Sequence, residues 1–348
     1  MKRLYLLPLL LIIAISIGTG CSEEESTNTG PESPGEVDHS GRYYVTFGAE
    51  PRWVMDIAQV DSSASFYIRG SVVDLSGTGR FRGDSLYLSA DLREFGTFVG
   101  EVLFSSDGES FTGLWHFEGG ALMHGTMTGS RNYWEIYDLD AGGTPRFATE
   151  NCIELDKIAR ISRFRSGEGH DYSDDFETCR SMKHYYLANT GIDNHTVKLF
   201  SPVNGTIIGM VDEYDGTLWK GTQIGIRPDG FNAFVVIIFH IDLSDTLMVG
   251  DHVTAGQQLG TSQKQDGTAT DIAIGVHVPG GYKLISFFEV ITDDVFHLYQ
   301  ARGVSSRSEF IITKEERDGD PLECTGQEQF VDRGNIENWV YLSETTEF

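Results

Sequence analysis

Positive charge is scarce in this chain. Lys and Arg number 26 against 52 Asp and Glu, a formal net charge of −26 over 348 residues. Such an excess repels nucleic acid and anionic lipid surfaces, so neither is expected as a partner. It favours a well-solvated surface and suits cationic partners or loosely held Ca²⁺. Long apolar runs are also missing: apart from residues 4–17, none approaches the roughly 20 residues of a membrane span. Cysteine is sparse, with four in the chain, and none stands in a Cys-x-x-Cys or a Cys/His cluster spaced for structural zinc. The sequence has no Gly-x-Ser-x-Gly elbow, no papain-like cysteine context and no Gly-rich phosphate loop opening a helix. Serine or cysteine hydrolase chemistry and nucleotide binding therefore lack support.

What is present begins with Lys2 and Arg3, the apolar run over 4–17, and then Gly18-Thr19-Gly20-Cys21. A short basic start, an apolar core too short to span a bilayer and small residues before a cysteine read as a lipoprotein signal over 1–20. Cys21 is then the acylated first residue of the mature protein. Gly18 stands where the usual lipobox carries Leu, so an ordinary secretory signal cut near Cys21 is the alternative. Residues 21–40 are rich in Ser, Glu, Gly, Pro and Thr without hydrophobic periodicity, and read as a flexible spacer.

From 41 to 134 the chain runs in short alternating segments broken by glycine turns, such as SFYIRGSVVDL, GDSLYLSADL and TFVGEVLF. Period-2 alternation, with aromatic and β-branched residues and a hairpin signal at Asp107-Gly108, predicts an antiparallel meander. About eight strands are enough to close a small barrel or form a sandwich. Trp115, Phe117 and Trp134 are read first as barrel core, with an apolar ligand site as the alternative. The segment ELDKIARISRF (154–164) fits either a helical turn or a strand. AFVVIIFHIDL (233–243) is a continuous apolar run of buried-strand length. The fold class expected is all-β.

Three strings in the second half carry a family resemblance. SPVNGTIIGMVDE (201–213), FHIDL (239–243) and VGDHVTAGQQLGTS (249–262) resemble, in order, the "APxDGxV", "YxHL" and "VxxGDxVxxGQxIGxxG" motifs of lysostaphin/LytM-type zinc metallopeptidases. GESFTGLWHFEGG with HGTMTGSR resembles the closing strands of bacterial lipocalin-like barrels. These resemblances imply a lipocalin-like β-barrel over 41–148 and a LytM-type duplicated-hybrid-motif β domain, with a C-terminal tail, over 149–348. Cys152, Cys179 and Cys324 allow three pairings in an oxidising compartment. Cys179 and Cys324 bracket the peptidase-like core, and theirs is the bridge expected.

The family's zinc site needs three protein ligands and an open water position. Its first pair, His-x-x-x-Asp, is broken here in either placement. His184 is followed by Ala188 where Asp belongs, and Asp193 is preceded by Asn189 where His belongs. Its His-x-His reads Asp271-x-Ala273, and a methyl group ligates nothing. His240 matches the family's extra catalytic histidine; the plain alternative is a hydrogen-bonded histidine ending a buried strand. An upstream His-x-x-x-Asp, His170 and Asp174, is complete but too early for the family spacing. A solvated polar loop is its alternative. His277 enters only through a register slip, which for an odd number of residues reverses the face.

The resemblance thus implies a cell-envelope lipoprotein with a noncatalytic peptidase-like domain. It would bind or regulate a peptide, a glycan or an envelope protein, with no cofactor, on the outer membrane's periplasmic side or the cell surface. Two alternatives stay open: a zinc endopeptidase with a rearranged site, and a barrel that binds a small apolar ligand.

Overall fold

The computed structural model describes residues 37–70, 74–92, 96–120, 122–215, 217–263, 268–325 and 329–343. The signal over 1–20, Cys21 with its acylation, and the spacer up to residue 36 lie outside the described residues. The chain is all-β. Alternating inward apolar and outward polar residues wind the first strands into a closed antiparallel barrel of eight: β1 (Gly41–Phe47), β2 (Glu50–Val60), β3 (Ser63–Arg69), β4 (Asp74–Arg82), β5 (Ser85–Asp91), β6 (Thr97–Phe104), β7 (Ser110–Glu118) and β8 (His124–Ser130). Each strand pairs with the next, and β8 returns to β1 with Thr46 opposite Thr128. In β3, Ala64, Phe66 and Ile68 are buried while Ser63, Ser65 and Tyr67 are exposed, the period-2 signature of one wet and one dry face. The Asp107-Gly108 turn joins β6 to β7, with Gly108 at φ 71°.

Large side chains fill the barrel axis. Tyr43, Phe98, Phe104, Phe111, Trp115 and Met127 are each under 5% exposed, and ring pairs such as Tyr43–Phe104 (5.6 Å) and Phe104–Phe111 (5.3 Å) interlock edge-on or tilted. Trp115 is core, as expected. Trp134 lies after β8 and instead stacks on His277, with ring centres 4.4 Å apart.

The second half supplies β9 (Ile158–Ser162), β10 (His184–Ala188), β11 (Lys198–Phe200), β12 (Gly205–Asp215), β13 (Leu218–Pro228), β14 (Phe234–Leu243), β15 (His252–Val253), β16 (Gln258–Ser262), β17 (Thr268–Val278), β18 (Gly281–Ile285) and β19 (Trp339–Tyr341). The segment read as turn or strand is both: a 3₁₀ turn at Leu155–Lys157 runs straight into β9. The apolar run becomes β14, central because it pairs with β13, β16 and β17. The strands of this sheet run in the order β9–β10–β17–β14–β13–β12.

Barrel and second half join through β8 and β12, where Val211 faces Gly125 and Asp212 faces His124. Val211 packs into the barrel core. Gly209 makes this possible, because a Cβ there would sit 1.6 Å from the Gly48 carbonyl oxygen. The tail folds back on the sheet. β19 pairs with β9, Arg317 is fully buried with its Nε donating to the Arg165 carbonyl at 2.8 Å, and Cys324 forms a disulfide with Cys179. Cys152 is free and buried. Among the described residues no helix is long and apolar enough to cross a membrane.

Candidate functional site

The pairing of β10 with β17 sets Tyr185 opposite Asp271 and His184 opposite Ile272. Lys183, just before β10, thereby reaches the same side as Asp271. Its Nζ lies 2.6 Å from Asp271 Oδ2, and the two side chains are 2% and 0% exposed. Apolar rings enclose the ammonium: Phe239 at 4.1 Å, Tyr172 at 4.8 Å and Tyr185 at 5.1 Å from ring centre, close enough for cation–π attraction. Burial works against the charged amine, but the Asp271 carboxylate overcomes it and holds Lys183 above the ordinary lysine range. The pair favours the ammonium form of Lys183 over the nucleophilic free amine.

His240 stands on the outer side of this pair. Its Nε2 is 3.4 Å from Asp271 Oδ1, and its Nδ1 is 3.0 Å from Glu213 Oε2 and 3.2 Å from the Lys220 carbonyl oxygen. Its backbone is left-handed, φ 56°, inside a strand. A non-glycine residue held there is strained, and such strain persists only where surroundings enforce it. Thr270 Oγ1 donates to the Phe239 carbonyl at 2.5 Å, Gln263 N donates to the His240 carbonyl at 2.8 Å, and Gly221 gives the histidine backbone room that a Cβ would take. The outcome aims the imidazole at two carboxylates, with 14% of its side chain and 24% of that of Glu213 exposed. His170 adds to the cluster, with Nε2 3.5 Å from Lys183 Nζ.

The residues do not fit zinc. Ala273, across from Ile237, is 1% exposed and offers only a methyl group. Asp271 is already neutralised by Lys183. A divalent ion about 4 Å from that ammonium would meet repulsion on the order of 8 kcal/mol at a protein-like dielectric. Among the described residues no three His, Cys, Asp or Glu side chains converge so as to hold a metal ion.

Of the residues singled out from sequence, Asp271, His240 and His170 come together around Lys183; the others do not. His184 is 1% exposed and hydrogen-bonded at both ring nitrogens, to the Ser162 carbonyl and Ser286 Oγ, each at 2.8 Å. Burial lowers its pKa to about 4, so it is a neutral core histidine. Asp193 caps the 3₁₀ turn Asn194–Thr196 by accepting from His195 N. Asp174 is buried and accepts from the backbone N–H groups of Phe176, Glu177 and Leu284. His277 is buried beneath Trp134, and burial lowers its pKa to about 4. Lys183 and Glu213 were not singled out. The signal for Lys183 was a lone lysine between apolar Met182 and the Tyr185-Tyr186 pair; that for Glu213 was only its place ending the SPVNG string.

No family model matches the chain, and no curated protein sequence matches it. Among solved structures, Helicobacter pylori Csd3 in orthorhombic crystals aligns over 67% of this chain and 51% of its own, at 14% identity and a TM-score of 0.29. The hexagonal form gives 69%, 54%, 13% and 0.26. A zinc-containing peptidase from Vibrio cholerae aligns over 68% of this chain and 84% of its own, at 9% identity and a TM-score of 0.24. The chain spans about half the length of the Csd3 structures. Superposition at these values is loose, and no site residue is assigned from it.

Proposed function

We propose that this protein binds or regulates without catalysing: a cell-envelope lipoprotein whose peptidase-like half keeps its site closed with an internal cation. The Lys183–Asp271 ion pair is the observation that carries the reading. It puts a fixed ammonium among Asp271, His240 and His170, where hydrolysis would need a metal-bound water of lowered pKa. Among the described residues, no activated nucleophile accompanies it. Envelope anchoring rests on the apolar run over 4–17 and Cys21, and mass spectrometry of the mature N-terminus checks it; an unmodified start elsewhere would contradict it. For the activity, mature protein incubated with glycyl and cross-bridge peptides should give no chelator-sensitive cleavage. Cleavage abolished by His240→Ala would establish the endopeptidase alternative.

A second reading, binding of a small apolar ligand by the barrel, has one observation in its favour. The barrel axis is filled, but a cleft of about 610 Å³ opens between its outer wall and β12. Leu114, Phe117, Leu122, Met123, Met210 and Tyr214 line it, and Leu114 is 64% exposed. An apolar fluorophore whose emission rises on wild type and not on Leu114→Asp supports that reading; equal emission on both rejects it.

A further inference from the structure

A pocket of about 530 Å³, lined by none of the residues of the Lys183 cluster, is walled by β1, β7, β8 and β13. Arg227 of β13 enters it half-buried, and its guanidinium makes no hydrogen bond or ion pair with any described residue. Burial lowers its pKa, and the charge of nearby Glu135 only partly offsets this. In a chain this acidic, a pocket arginine that is hydrogen-bonded to no carboxylate is suited to hold an anion.

The rest of the wall narrows the ligand class. Tyr44, Tyr133 and Trp134 form an aromatic corner, with ring centres 4.7 Å (Tyr44–Tyr133), 5.3 Å (Tyr44–Trp134) and 5.7 Å (Tyr133–Trp134) apart. Trp134 is braced by its parallel stack on His277, an imidazole kept neutral by burial. Such rings offer flat apolar faces with polar edges. Around them stand neutral donors and acceptors: the amides of Asn132 and Asn232, which make no side-chain hydrogen bond to described residues, and the hydroxyls of Thr46 and Thr128. A hydrocarbon would strand these polar groups. A polyanion would meet Glu135 at the rim and the chain's overall negative charge. A peptide bound by strand addition needs a free edge, yet β1 and β8 are each paired on both sides here, and β13 lies between β12 and β14. We propose that this pocket binds a saccharide carrying a single carboxylate, its ring face on the aromatic corner and its carboxylate on Arg227. This site is separate from the Lys183 cluster and stands whether or not that cluster ever holds a metal.

The test is calorimetric titration of the mature protein with methyl β-D-glucuronide, beside methyl glucoside, acetate and the dipeptide Ala-Phe. The expected result is saturable glucuronide binding with a Kd of about 1 mM or tighter. Loss should be tenfold or more for methyl glucoside, and likewise for Arg227→Gln with the glucuronide, with Arg227→Lys between. Thermal melts check that the variants fold. Should Arg227→Gln fail to fold, Tyr133→Ala, at a side chain 51% exposed, carries the same expectation of weakened binding. An absence of saturable heat, or undiminished binding by the folded variant, overturns the assignment. Acetate binding as tightly makes this a bare anion site, and Ala-Phe binding as tightly makes it a peptide-terminus site; either result also overturns it.

Discussion

The ammonium of Lys183 and the carboxylate of Asp271 sit together almost wholly out of water. Neither charge is tolerable there alone. Lys183→Ala should therefore cost about 3–5 kcal/mol of stability, because it leaves Asp271 buried without its counter-charge. The double variant Lys183→Met/Asp271→Leu should recover most of that loss. Denaturant midpoints of the three proteins check this, and a single variant as stable as wild type would contradict the ion pair. His184 and His277 add a pH dependence. In the unfolded chain each imidazole binds protons near its ordinary pKa of 6.5; folded, burial holds both at about 4. The unfolded state thus takes up more protons as pH falls from 6.5 towards 4. Stability contributed by these groups is intact above that window and lost progressively within it, by up to about 1.4 kcal/mol per pH unit for each. Urea midpoints should drop between pH 7 and pH 5, and less steeply in His277→Phe. Equal midpoints at the two pH values would argue against neutral buried histidines.

The disulfide Cys179–Cys324 fastens the tail to the loop before β10, the same loop that delivers His170 and Lys183. Cys324→Ser should destabilise the protein by about 2–5 kcal/mol. Cys152, whose thiol burial pushes up to about 12, should stay unalkylated until the chain unfolds. Peptide mapping of native, alkylated protein checks both; alkylated Cys179 or Cys324 in unreduced protein would contradict the bridge. At this scale much was legible in advance. Alternation in segments such as SFYIR predicts half-buried strands, Asp107-Gly108 a hairpin, and AFVVIIF a central strand, because each signal is local. The site was less legible. Lys183 matters only because β10 lies beside β17, a pairing across some ninety residues that no spacing announces. His184, one residue further on, drew attention as a histidine, yet alternation turns it to the opposite face, into the core. The left-handed backbone at His240 depends on Gly221 across the sheet, again a tertiary fact.

At the scale of the whole molecule, barrel and sheet meet where β8 pairs with β12, and no side chain intervenes at Gly209. Gly209→Val should force β12 off the barrel rim, costing about 1–3 kcal/mol as overpacking. The change should show in Trp115 fluorescence, since its indole Nε1 donates to the Thr126 carbonyl on β8. Unaltered stability and emission would contradict that contact. The account as a whole stands on the internal cation buried in the second half of the chain. The most direct measurement is the zinc content of purified wild-type protein, by elemental analysis, after exposure to excess zinc and dialysis into metal-free buffer. A site closed by Lys183 predicts zinc well below one ion per chain; one zinc per chain, retained through dialysis, would contradict it.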